Sequence, residues 1–498
     1  MALPKLIFSS PTPGAATSSV TLAVYAPFGT DAVLSTYPNG LPLTITQHPL
    51  VKSLVEVSKC GVHVSALIDL YADDSYLVEI PADKPLSIKV TSRWKLEMDA
   101  INTLSGFLRH TRLTHPGSAL VLALEGHGAG YLPEIDISQL TTANLTQEGA
   151  VEWRITHDQG APLLPMGSPL LPMGSPLLPM GSPLLPVNHM PLSTWGLGEA
   201  MKVALAGSGQ KFGVIHFNNC FNMAVELLHT VAPHADYAAG YMNYNFFSSG
   251  QTYPVAFNKL KLAGSATTQQ FATWLAEANR DVLASKSHHP TAGAVVQLSR
   301  LPGIAARIDA LAEALIAALT GVPAATRPQV VNDIRLAIRS SQQYDTGASP
   351  LLESPDELTD LCSLATRLTA FPNHAPVQQA AAALRAALAG IKVYGARATP
   401  WTSPNVLWDF TRPDLAMNIL CPDPALRGLW DWRSPFYLQV QQEPGQPVVQ
   451  PHVIDFLKQT AWVDFIIEYH RDVPFRGLLP AAIPAYPIFN RKHGLPDT

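Results

Sequence analysis

The sequence predicts an α/β protein: helices cover both faces of a central sheet, and a helix-rich C-terminal region follows. Two observations carry this. Short, nearly all-apolar runs bounded by glycine or proline alternate with segments of helical periodicity, and strands of that composition belong to sheets buried on both faces. From about residue 300 the texture changes to Ala/Leu-rich helical segments. The expected organisation is a core over residues 1–299, with a loop inserted at about 159–190, completed by the region 300–498.

The elements follow in order. Val20–Ala26 (VTLAVYA), bounded by Pro27 and Gly29, is a buried strand, and Val51–Val57 has helical spacing. Gly61–Leu70 and Ser75–Ile80 are further strands, the second nearer an edge. Met98–Arg112 is an amphipathic helix stopped by Pro116 and Gly117. Ala119–Glu125 (ALVLALE) is a strand that runs into Gly126-His127-Gly128. Ser193 caps a helix to about Leu205. Phe212–Phe217 (FGVIHF) is a strand that runs into Asn218-Asn219-Cys220, and Phe221–His229 is expected to be helical. Helices over Ile304–Leu319, Val330–Ser341 and Val377–Leu388 and short strands near Ile391–Tyr394 and Met417–Leu420 complete the reading.

Composition bounds the function. The 498 residues are 47% hydrophobic, 8% aromatic and 14% charged, a globular balance. The net charge of −5 comes with no basic stripe, so a nucleic-acid partner is not expected. Four scattered cysteines, Cys60, Cys220, Cys362 and Cys421, make neither a disulfide framework nor a metal motif. That usage, with no secretory signal and no apolar run long enough to span a bilayer, leads to a cytoplasmic expectation with no membrane partner.

Two strand ends carry chemistry. In open α/β sheets, sites form beyond the carboxyl ends of strands, and His127 and Cys220 both stand there. If the strands are neighbours, imidazole faces thiol. A helix N-terminus and a nearby imidazolium would lower the thiol pKa. The backbone N–H groups of Gly128 and Cys220 could form an oxyanion hole, worth roughly 3 kcal/mol per donor. Singly, a cysteine at a strand end is commonly a small buried hydrophobe and a His-Gly a turn; the two junctions together point to a thiol hydrolase. Glu125 stands either as an orienter of His127 or as a strand-end acid. His288-His289, Asp73-Asp74 and Glu134-x-Asp136 are polar loop residues without a ligand cluster, so no metal is expected.

The stretch Leu120–Tyr131 (LVLALEGHGAGY) resembles the histidine motif of the clostripain-like cysteine peptidases of clan CD, and Phe212–Glu226 (FGVIHFNNCFNMAVE) resembles their cysteine motif. AVVQLSRLPGIAARIDALAEAL from Ala294, IRSSQQYD from Ile338 and DLCSLATRL from Asp360 follow in the family's order. The resemblance implies a caspase-like α/β/α sandwich with a mixed central sheet and endopeptidase activity on protein substrates through a His127–Cys220 dyad. It leaves Cys60, Cys362 and Cys421 as core residues. Calcium enters by family analogy only, because no EF-hand-like loop is present. The family pattern has an aspartate two residues before the cysteine that lines the S1 pocket and selects Arg or Lys. Here Asn218 stands there, an amide without charge, so a neutral or apolar P1 residue competes with a basic one.

Residues 162–186 read PLLPMGSPLLPMGSPLLPMGSPLLP, a seven-residue unit in three full copies. The prolines exclude a helix or central strand, leaving an extended, exposed loop. It lies between His127 and Cys220, where the resemblance implies chain cleavage in a zymogen. Met166-Gly167, Met173-Gly174 and Met180-Gly181 are the candidate scissile bonds, and neutral expansion of a tolerant loop is the alternative. The resemblance extends to prokaryotic caspases of CRISPR/CBASS-type antiviral systems, which implies an upstream caspase-like protease as activating partner. Three other readings remain: a non-catalytic scaffold, a self-processing peptidase without a cascade, and a transpeptidase or amidase using the same dyad.

Overall fold

A computed structural model describes residues 3–8, 18–29, 44–70, 74–94, 96, 98, 100–126, 128, 130–132, 134, 192–243, 245, 250–286, 289–344, 358–397, 402, 403, 406, 407, 410–422, 437 and 452–471. Among them, ten strands come first in the chain: β1 (Lys5–Ile7), β2 (Ser18–Gly29), β3 (His63–Leu70), β4 (Asp74–Ile80), β5 (Lys89–Trp94), β6 (Ala119–Glu125), β7 (Phe212–Asn218), β8 (Ala235–Tyr241), β9 (Ser265–Thr267) and β10 (Thr291–Gln297). After them, β11 (Leu358–Asp360) forms a small ladder with Asn418–Leu420, and β12 (Lys392–Ala396) returns to the main sheet.

The main sheet runs β12-β10-β8-β7-β6-β2-β3-β4-β5, with β1 paired to β2 and β9 paired to β1. Its centre, β3-β2-β6-β7-β8, is parallel. Both flanks are antiparallel. This is the mixed sheet of an α/β/α sandwich. One core cluster holds helices Ile101–Thr114, Thr194–Leu205, Val225–Val231 and Leu301–Thr320 on one face. The other holds Pro49–Ser58, Thr252–Ala263 and Thr268–Arg280 on the opposite face. Every residue of β6 and β7 is buried, the physical counterpart of their largely apolar composition.

Local chemistry sets several boundaries. Ser193 caps its helix by accepting from Gly196 N–H at 2.8 Å. Thr267 and Gln270 form a reciprocal capping box. Strand β2 continues past Pro27, where the expected strand stops, by shifting its register against β3 between Pro27 and Gly29. Where a helix is expected from Phe221, it begins only at Val225. Phe221 adopts a φ of 60°. The N–H groups of Phe221 and Met223 donate to Asn243 (3.0 Å) and Tyr241 (2.9 Å) carbonyls, so segment 221–223 extends the β8 edge instead of coiling.

The C-terminal half is woven into this frame. Besides β12, Asn418 Nδ2 donates to the carbonyls of Phe221 (2.8 Å) and Met242 (3.0 Å). Buried Arg327 pairs with Glu468 at 2.8 Å, tying the C-terminal helix Trp462–His470 to the bundle. Among the described residues no helix is long and apolar enough to cross a membrane.

Candidate active site

Strands β6 and β7 are parallel neighbours, with Glu125 directly opposite Asn218. Their carboxyl ends therefore deliver the two junctions to one place. His127 lies outside the described residues, as do Met166, Gly167, Met173, Gly174, Met180, Gly181 and the rest of the repeat. Gly126, at φ 97°, turns the chain off β6 in a conformation suited to glycine.

Cys220 follows β7 by two residues and is 2% exposed. Its sulfur sits among backbone groups. Asn245 N–H donates to Sγ at 3.3 Å, and Sγ lies 3.6 Å from the Asn245 carbonyl oxygen. The N–H groups of Gly128 and of Cys220 itself also act on the sulfur. These are the two amides expected for an oxyanion hole. Gly128 fits here because it lacks a side chain: a Cβ would run into the Cys220 carbonyl oxygen and press on Asn219 and Asn222. The two junctions are also tied by Gly130 N–H donating to Asn222 Oδ1 at 3.1 Å, and by Asn222 Nδ2 donating to Asn219 Oδ1 at 2.8 Å.

The thiol pKa differs from the sequence expectation. Burial pushes Cys220 up to about 11, and the three amides only partly offset this. No helix N-terminus helps, because the helix starts five residues on, at Val225. Cys60, Cys362 and Cys421 are free and buried within the two cores.

Asn218 is 4% exposed and fully engaged. Its Nδ2 donates to Glu125 Oε1 at 2.8 Å, and its Oδ1 accepts from Asn245 Nδ2 at 2.9 Å. Tyr253 OH also donates to Glu125 Oε1. Asn279 Nδ2 approaches Asn245 Oδ1 at 3.5 Å and Thr252 Oγ1 donates to Asn279 Oδ1 at 2.7 Å, extending the network into two helices. Burial raises the Glu125 carboxyl to about 7, against the lowering by Asn218 and Tyr253. Sequence reasoning missed Asn245, Tyr253 and Asn279; they stand far along the chain, and no spacing rule links them to Cys220. Glu134, expected as a solvated loop acid, instead accepts from Ser193 Oγ. Among the described residues no group of three or more His, Cys, Asp or Glu could hold a metal.

Part of the chain matches a family model. Residues 192–399 match the clostripain family, peptidase family C11. The segment contains Cys220, Asn218 and Asn245 and begins just after the repeat. Two solved structures of a secreted C11 cysteine protease from Bacteroides thetaiotaomicron are similar. One carries an irreversible peptide inhibitor: 14% identity, 81% of this chain and 92% of that chain covered, TM-score 0.47. The other has 13% identity, 81% and 93% coverage and TM-score 0.48. An inactive zymogen C11 protease from Parabacteroides distasonis has 14% identity, 84% and 94% coverage and TM-score 0.46. No curated protein matches the sequence.

Proposed function

We propose that this chain is a cysteine endopeptidase of the clostripain family, made in a latent form, with Cys220 as nucleophile and His127 as general base. The observation that carries the reading is the amide cradle around the Cys220 sulfur at the carboxyl end of β7, beside the strand that leads to His127. In the reaction, the thiol proton passes to the imidazole and the thiolate attacks the scissile carbonyl. The Gly128 and Cys220 amides hold the oxyanion. The protonated imidazole gives its proton to the leaving amine, and water then hydrolyses the acyl-enzyme.

Latency is supported by the burial of the thiol. Burial raises the thiol pKa to about 11, which keeps it protonated near neutral pH. Activation by cleavage at Met166-Gly167, Met173-Gly174 or Met180-Gly181 would let the chain ends move and open the thiol to substrate and His127. The bases of the loop support a processed but undivided enzyme. Thr194 N–H donates to the Leu132 carbonyl at 2.9 Å, and Leu132 N–H donates to Thr194 Oγ1 at 2.9 Å. A cut between them leaves both pieces held by these bonds and by the β6–β7 ladder. We assign the cut to an upstream caspase-like protease in a cytoplasmic defence or cell-death cascade. The four free cysteines are compatible with a reducing compartment.

The test compares wild type and Cys220→Ala, each with and without deliberate cleavage of the repeat, by peptide hydrolysis and by mass spectrometry of new termini. Cleaved wild type should hydrolyse peptides and label with a thiol-reactive peptide probe at Cys220. Cutting of intact wild type but not of the variant would replace the upstream protease with self-processing. Failure of Cys220 to label after cleavage would favour the non-catalytic scaffold, which the burial of Cys220 also fits.

A further inference from the structure

Phe221, the residue directly after the nucleophile, holds a backbone conformation that its side chain does not favour. Its φ is 60°. Among the described residues two other non-glycine residues have positive φ, Asp83 and Asn373, and both are of the types that tolerate it. Phe221 is aromatic and 2% exposed, with its ring in the core. Such a turn persists only where its surroundings over-determine it. Two contacts do so. On one side the Phe221 N–H donates to the Asn243 carbonyl at 3.0 Å. On the other the Phe221 carbonyl accepts from Asn418 Nδ2 at 2.8 Å.

Asn418 is buried and comes from the C-terminal region, beyond the segment 192–399 that matches the clostripain family. Its N–H donates to the Met223 carbonyl at 3.0 Å, and Nδ2 also donates to the Met242 carbonyl at 3.0 Å. One side chain therefore spans the two segments that flank the sulfur: 221–223, which follows Cys220, and 241–243, which leads to Asn245. With two carbonyls as partners the amide acts as a donor, and its Oδ1 has no hydrogen-bond partner among the described residues. Strand β11 holds it from behind, with Asp360 paired to Asn418 and accepting from Ala416 N–H at 2.9 Å. The Cys220 carbonyl, joined to the turn by one peptide, packs where a Cβ on Gly128 would stand. If Phe221 relaxed to negative φ, that peptide would rotate and carry Cys220 off the Gly128 and Asn245 amides.

We propose that Asn418 is a positioning residue for the reaction: its side chain locks the left-handed turn at Phe221 and so aims Cys220 within its amide cradle. This rests on the peptidase reading above. The nucleophile is thereby aligned by the C-terminal region, and the family-matched segment by itself lacks the amide that aligns it. A device of this kind acts on the attack rather than on the capture of substrate, because a small misplacement of the reacting atom is costly to the chemical step.

Kinetics and hydrogen exchange test this together. In the cleaved protein Asn418→Leu, close in size but without a donor, should lower kcat by about 10- to 100-fold and move KM by less than about threefold. In a Phe221→Gly background the same substitution should cost about threefold or less, because glycine enters positive φ freely and the cavity left by the ring cancels between the two arms. Thr359→Val is the control. It removes the bond from Thr359 Oγ1 to Gln343 Oε1 (3.0 Å) in the same ladder without touching Phe221 or Met242. It should lower Tm while leaving kcat within about twofold. Exchange in the intact protein needs no activity: the Phe221 and Met223 amides should exchange about tenfold faster or more in Asn418→Leu, and at the wild-type rate in Thr359→Val. An unchanged kcat, an equal loss in both backgrounds, a comparable loss in Thr359→Val or unchanged exchange would overturn the proposal. Hydrolysis of no peptide by cleaved wild type would sink the peptidase reading instead, and exchange would still decide on the Asn418 clamp. Thermal melts show which variants fold, and Phe221→Asn takes the place of Phe221→Gly where the latter does not.

Discussion

Two buried carboxyls, Asp360 and Glu125, sit in different halves of the chain and are handled in opposite ways. Asp360 is completely paired. Oδ1 accepts from Ser363 N–H at 2.8 Å as a helix cap, and Oδ2 accepts from Tyr344 OH at 2.7 Å and Ala416 N–H at 2.9 Å. It joins β11, its helix and segment 410–422 into one unit. Glu125 has both donors on one oxygen, and the other has no hydrogen-bond partner among the described residues. Burial raises both carboxyls, Asp360 to about 6 and Glu125 to about 7. The paired one spends its hydrogen-bonding capacity on joining elements of the fold. Glu125 is the one connected to Cys220.

Asp360→Ala should give the largest stability loss, about 4 kcal/mol, because it orphans one hydroxyl and two amides in the interior. Chemical denaturation measures this. A loss below about 1 kcal/mol would remove the contrast with Glu125.

Glu125→Gln should change the pH dependence by roughly 3 kcal/mol. A carboxyl raised from its ordinary value of 4.5 to about 7 in the folded state keeps its proton there while the unfolded chain ionises. Its contribution is therefore fully present below pH 4.5 and is lost as pH rises through about 7. The stability difference, wild type minus variant, should fall across that window, as read from denaturation curves at pH 4, 5.5, 7 and 8. A flat difference would mean that the carboxyl is not held protonated.

Gly128→Ala should cost about 100-fold in kcat/KM, comparable to losing one oxyanion donor, because the new methyl displaces the amide from Cys220. Unaltered turnover in the cleaved protein would detach Gly128 from the chemistry. His216→Phe should have the smallest effect, within about 1 kcal/mol and on the stabilising side, since a neutral ring whose two nitrogens have no partner among the described residues gives way to an apolar one among tyrosines. Strong destabilisation would indicate a hidden partner for the imidazole.

Much of the frame was legible because burial on both faces writes itself as unbroken apolar runs. Ala119–Glu125 and Phe212–Phe217 were readable as strands for that reason. The cap at Ser193 was readable from a single residue. The Ala-rich β8 and the strand β5 were not, because alanine and charged residues carry no clear period-two signal. The helix expected from Phe221 failed through tertiary override: carbonyls of Tyr241 and Asn243 capture the amides that a helix would have used.

The sequence by itself determined the α/β class, the two strand ends and the pairing of His127 with Cys220 as candidates, since these follow from local composition and punctuation. Only the tertiary structure decided that β6 and β7 are adjacent, and that the thiol lies buried among amides and is raised rather than lowered. It alone brought Glu125, Asn218, Asn245 and Tyr253 together from four separate stretches. Periodicity reports which residues face inward, but which inward-facing polar atoms meet, and which are left without a partner, depends on strand order and register.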